Sequence, residues 1–84
     1  MNYLINLSEN LQKSIFEYNI DEFNKQVIEL INFLTQELEE RVVLKKQDEM
    51  SIIKTIIDNI NFAFCNKDYL LFADILKYEL ESNF

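Results

Sequence analysis

Eighty-four residues with no glycine, proline, histidine or tryptophan leave no material for a phosphate-cradling loop, a dinucleotide fingerprint, a histidine base or the usual zinc and haem ligand sets. A net charge of −7, from 15 acidic and 8 basic residues, sets the chain against nucleic-acid backbones and anionic membrane surfaces. With 49% hydrophobic residues, residues 1–84 form one helical domain with more apolar surface than so short a chain readily hides.

At average usage roughly ten glycines and prolines would be expected. Without them, tight turns and loops lose their usual residues, and the chain reads as helix from end to end with very short connectors. The first helix starts at Asn2 or Ser8 and ends at Tyr18. Leu4, Leu7, Leu11, Ile15 and Tyr18 share one face at three- and four-residue steps. A joint follows at Asn19 to Asp21. Asn19 suits the left-handed conformation that ends a helix. Asn19 or Asp21 can cap the next one, and Asn19 with Glu22 has capping-box spacing.

The second helix carries Phe23, Val27, Leu30, Ile31, Leu34 and Leu38 on one stripe, extending toward Val42, with Lys25, Glu29, Gln36, Glu37 and Glu40 opposite. The next joint is expected at Lys45 to Asp48. The lysines favour a helix C-terminus, and Asp48 suits the following N-cap. The third helix has a wide stripe of Ile52, Ile53, Ile56, Ile57, Ile60, Ala63 and Phe64, as for a helix with two neighbours. Asn66-Lys67-Asp68 forms the last joint, with Asp68 as cap. Tyr69, Phe72, Ala73, Leu76 and Leu80 face inward, and the chain frays after Glu81. Short joints predict antiparallel neighbours: an all-α bundle of about four helices, as two αα-hairpins. The alternative is three helices with a long central one over 20–64, if Gln47 and Asp48 do not break it.

Large apolar side chains fall outside these stripes. Phe16, Phe33 and Phe62 project away from their helices' main faces, and Leu71, Ile75 and Tyr78 form a second stripe on the last helix. A helix apolar on two sides is usually buried on two sides. Leu71, Ile75, Tyr78, Phe62 and Phe33 are therefore the expected partner-binding residues, most simply in a two-fold homodimer. A different protein partner and a monomer with singly exposed apolar residues are the alternatives. Cys65 is the one cysteine, so no internal disulfide forms. No apolar run reaches the roughly 18 residues of a membrane span. The first six residues lack a basic region and a cleavage site. The expected location is cytoplasmic, with no membrane or nucleic-acid partner.

No catalytic residue, cofactor or metal site is expected. Glu37 and Glu40 lie one turn apart, as in the Glu-x-x-Glu of all-helical nucleotide pyrophosphohydrolases, but no Glu-x-x-Asp follows. Asp58 and Asp74 stand alone. Thr35-Gln36-Glu37-Leu38-Glu39 resembles the Ser-Gln-Glu-Leu-Asp signature of the small helical phosphatases that act on sporulation response regulators. That resemblance implies a phosphatase-like regulator using Gln36 and Glu37 as the alternative function. In that family the motif opens after a short loop. Here it falls inside the second helix, two of five residues differ, and Leu38 belongs to the core stripe. Asn66 through Leu80 is similar to a pattern in small helical proteins of clostridia and related Firmicutes, an Asn-x-Asp-Tyr joint followed by Leu-Ala-Asp-x-Leu-x-Tyr-Glu-Leu, with Phe72 in place of the leucine. It implies a lineage and a helical fold, with no activity attached. The expected function is a non-catalytic interaction or structural module, such as a small bacterial adaptor, chaperone or regulator. Acidic helical bundles of this size are common among secretion and flagellar export chaperones, a likeness of fold only.

Overall fold

Absence of glycine does not prevent the three joints from using left-handed backbone. The computed structural model describes residues 2–83. Tyr18, Lys45 and Lys67 have φ of 56°, 58° and 53°. At each joint two amides close back on the helix just ended: Tyr18 N on Ile15 O and Asn19 N on Ser14 O, Lys45 N on Val42 O and Lys46 N on Arg41 O, Lys67 N on Phe64 O and Asp68 N on Ala63 O. This is the paired hydrogen-bond closure that satisfies last-turn carbonyls, built three times without its preferred residue. A side chain in that conformation costs about 1–2 kcal/mol. Lys45→Gly is therefore expected to raise unfolding stability by about 0.5–1 kcal/mol in urea titration, after glycine's extra unfolded-state entropy is set against the relief.

These joints separate α1 (Asn2–Phe16), α2 (Ile20–Leu44), α3 (Gln47–Cys65) and α4, which spans residues 69–83. Lys45 and Lys46 break the chain, which rules out the long central helix. The chain is all-α, with no strand among the described residues. Each helix packs on its predecessor and α4 returns to α1, closing an antiparallel ring of two αα-hairpins. Asn19 Oδ1 accepts from Glu22 N at 3.3 Å and Asp68 Oδ1 from Leu71 N at 3.1 Å, the two caps expected. Two other assignments move. Tyr18, not Asn19, takes the left-handed position, because the closing hydrogen bonds fix the residue just past the helix. Lys46 occupies the N-cap of α3 with no side-chain bond, while Asp48 lies in its first turn, where a carboxylate still favours the dipole.

The core holds Leu4, Leu7, Leu11, Phe23, Val27, Leu30, Leu34, Ile56, Ile60, Ala63, Phe72, Ile75, Leu76 and Leu80. Tyr18 and Val42 are exposed. The first lies past the end of α1. The second lies on the far part of α2, which outruns the shorter α1. Two serines are also buried. Ser8 Oγ donates to Glu81 Oε2 at 2.8 Å, and Gln12 Nε2 donates to the same oxygen at 2.8 Å, tying α1 to α4. Ser14 Oγ donates to Gln26 Oε1 at 2.9 Å. At the far end of α1, Tyr3 Oη donates to Glu29 Oε1 at 2.5 Å, and its ring lies 5.2 Å from Phe33. The bond to Glu29, with smaller contributions from burial and the carboxylate's charge, raises the Tyr3 pKa. The folded state thus holds the phenol proton more tightly than the unfolded chain does. Stability from this contact is present below about pH 10 and is lost as pH rises through the raised value. In thermal melts, Tyr3→Phe is expected to remove that part of the alkaline destabilisation while keeping the ring contact.

Within α4, the α-helical segment Tyr69–Asp74 gives way to π-helical turns over Ile75–Leu80, and a last turn follows at Glu81–Asn83. Glu81 N bonds to Leu76 O, five residues back. At about 100° per residue, an unbroken α-helix would carry Leu80 roughly 80° away from Phe72. The wider turns rotate less per residue, so Phe72, Leu76 and Leu80 all face the core. Ile75, whose amide still bonds back to Leu71 O and Phe72 O, lies about 60° from Phe72 by helical geometry and is 3% exposed. The expected outward stripe of Leu71, Ile75 and Tyr78 therefore does not exist as a unit. Helix also continues to Asn83, held by Asn83 Nδ2 donating to Glu79 O, so no fraying sets in after Glu81.

Candidate functional site: an apolar cleft between two joints

An up-down-up-down chain brings its first and third joints to the same end of the bundle. Here that end is apolar. Ile15 and Phe16 close α1, Tyr18 forms the joint, and Ile20 opens α2. Tyr69, Leu70 and Ala73 come from the first turns of α4. Together with Phe23 they line a cleft of about 1090 Å³. The Ser8, Gln12 and Glu81 hydrogen bonds hold α1 to α4 along the rest of their seam.

The floor and the rim differ in kind. Phe23 is buried and central, with edge-on rings at 5.4 Å from Tyr69 and 5.0 Å from Phe72, and Phe64 at 6.2 Å. Phe16, Tyr18 and Leu70 are 85%, 86% and 81% exposed. Phe16 and Tyr18 come from the first hairpin and Leu70 from the second. Lys13, Lys67 and Asp68 supply the charges of the lining. Asp68 is engaged as the cap of α4. Ion pairs within 4.0 Å are made by Arg41 with Glu37, Glu40 and Glu49, and by Lys46 with Glu49. Among the described residues, Lys13 and Lys67 have no such partner.

The residues expected to bind a partner lie elsewhere. Leu71 and Phe33 are half-buried against the core, and Ile75 is within it. Tyr78 and Phe62 are exposed, at 64% and 63%. None of the five lines the cleft. Gln36 is exposed on α2, and the Glu37 carboxylate is held by Arg41. Cys65 is an exposed free thiol at the end of α3. Among the described residues, no three His, Cys, Asp or Glu side chains gather to hold a metal ion, and no helix is long and apolar enough to cross a membrane.

By helical spacing Phe16 lies off the main face of α1, Tyr18 falls on its apolar stripe, and Leu70 belongs to neither stripe of α4. The signal available was positional: large apolar residues abutting a joint on both hairpins. Comparison with family models, curated proteins and solved structures finds no match to this chain. The class of molecule is thus set by its own geometry: an all-α four-helix bundle with an apolar cleft at the end formed by its first and third joints.

Proposed function

We propose that this chain is a non-catalytic protein–protein interaction module, a small cytoplasmic adaptor, chaperone or regulator that pairs with a second copy through its apolar end. The observation that carries this reading is the exposure of Phe16, Tyr18 and Leu70 around one cleft. Single exposed apolar residues are ordinary, but three large ones converging on a hollow are not. At 150–250 Å² per aromatic side chain, the end presents on the order of 500 Å² of apolar surface. A polar rim brings this near the ~800 Å² per partner of a standard interface. A two-fold contact needs projections and a hollow in the same patch, and this end has both. Its lining also mixes charges, Lys13 and Lys67 with Asp68, so two acidic copies can meet there. An exposed unpaired thiol at Cys65 suits a reducing compartment.

Sedimentation velocity over a range of concentrations tests the pairing. The wild-type chain is expected to run as a dimer, and Phe16→Asp with Leu70→Asp as a monomer that keeps its helical circular dichroism. Tyr78→Glu, away from the cleft, is expected to stay dimeric. A wild-type chain that is monomeric at every concentration overturns the pairing. The phosphatase-like alternative stands on the five-residue resemblance around Gln36 and Glu37. For the reading favoured here, Gln36→Ala leaves association untouched, since Gln36 lies on α2 outside the lining of the cleft. Loss of a phosphatase activity toward a phosphorylated response regulator in that variant would reverse the preference.

A further inference from the structure

We propose that the cleft is also a ligand site, binding a single-chain anionic amphiphile, a long alkyl carboxylate. The argument has two independent parts. The first is shape and lining. A cleft of about 1090 Å³ walled by Ile15, Phe16, Phe23, Tyr69, Leu70 and Ala73 lies at the upper limit of the roughly 300–1,000 Å³ of small-ligand sites, which are concave, mostly apolar and carry few polar groups. An alkyl chain lying against Phe16, Tyr18 and Leu70, which are 81–86% exposed, replaces water there.

The second part is charge. In a chain of net charge −7, the lining of this apolar hollow carries two cations and one carboxylate. That carboxylate, on Asp68, accepts from Leu71 N through Oδ1 and keeps its charge, so the lining carries a net +1. Arg41 and Lys46 are spent on glutamates at the other end of the molecule. Lys13 and Lys67 are not paired among the described residues, and they line the cleft from opposite hairpins. A cationic or neutral head forgoes that attraction. Because the same residues form the proposed self-association surface, bound amphiphile and second copy exclude each other. This exclusion rests on the pairing reading; the binding itself does not.

Dodecanoate, kept below its aggregation concentration, is the probe, with dodecyltrimethylammonium and dodecanol as equal-length controls. In amide-resolved NMR titrations, dodecanoate is expected to saturate, with the largest shifts at Phe16, Leu70 and Ala73, and to bind at least tenfold more tightly than either control. Lys13→Glu with Lys67→Glu is expected to weaken it at least tenfold. Lys13→Gln with Lys67→Asn, which keeps a residue tolerant of left-handed backbone at 67, gives the same direction if the first variant is unfolded by circular dichroism. Lys25→Glu with Lys54→Glu is the control for net charge and is expected to change binding little. Equal affinity for the anionic and cationic probes, shifts centred away from the cleft, or no saturation overturns the proposal. In sedimentation, dodecanoate is expected to convert dimer to monomer. Saturable anion-selective binding to a chain that never dimerises upholds the ligand site and defeats the pairing. A dimer that ignores dodecanoate does the reverse.

Discussion

Phe23→Ala is expected to cost about 3–5 kcal/mol, against a total of roughly 4–12 kcal/mol for a domain of this length. Phe23 is buried at the start of α2 and meets rings from α3 and α4: Phe64, Tyr69 and Phe72. Truncation removes the side chain's burial and leaves a hollow bordered by three aromatic residues that cannot all collapse into it. It also deletes two edge-to-face contacts, each adding about 0.5–1.5 kcal/mol beyond area. The variant should show an early, broadened urea transition. Phe23→Leu, which keeps most of the volume, should lose about 1–2 kcal/mol. Phe16→Ala, at an almost fully exposed position two turns away in sequence, should stay within about 0.5 kcal/mol of wild type at concentrations dilute enough to keep both chains monomeric. Equal losses at Phe16 and Phe23 would mean the apolar end is not open to solvent.

The second large effect is a contrast between two single-residue deletions at exposed lysines. In α3, removing Lys54 turns every later residue by about 100° and takes Ile56, Ile60 and Ala63 out of the core together. No cooperative folding is expected. In α4, removing Lys77 should be tolerated to within about 1 kcal/mol, because the π-helical turns already accommodate one residue too many. Seven α-helical steps from Phe72 cover roughly 700°, which leaves Leu80 about 20° from alignment instead of 80°. Leu80 stays buried and Glu81 still meets Ser8 and Gln12. The exposed Lys77 gives up only its position over the Tyr78 ring, at 5.6 Å. Circular dichroism melts of the two deletions check this. A ΔLys77 chain as disrupted as ΔLys54 would show that the wide turns carry specific packing and not merely a spare residue.

Both expectations arise where a repeating pattern meets a three-dimensional constraint, and the same boundary divides what could be read in advance. Composition and apolar spacing were enough for four helices, their order, and the caps at Asn19 and Asp68. Those features depend on local backbone preference and on one helical face at a time. Left-handed turns at Tyr18, Lys45 and Lys67 were less legible, because hydrogen-bond closure at a helix end outweighs the preference of the residue that falls there.

The candidate site was legible only in fragments. Misplaced apolar residues pointed to an exposed surface, but the stripe drawn through Leu71, Ile75 and Tyr78 divides in the bundle, because Ile75 lies close enough to Phe72 around the helix to join the core. The cleft itself joins Phe16 and Tyr18 to Leu70 across some fifty residues, and the buried Ser8 meets Glu81 across more than seventy. Local spacing carries the identity of each helical face. Which faces meet, and which joints share an end of the bundle, is settled only when four helices compete to bury their stripes at once.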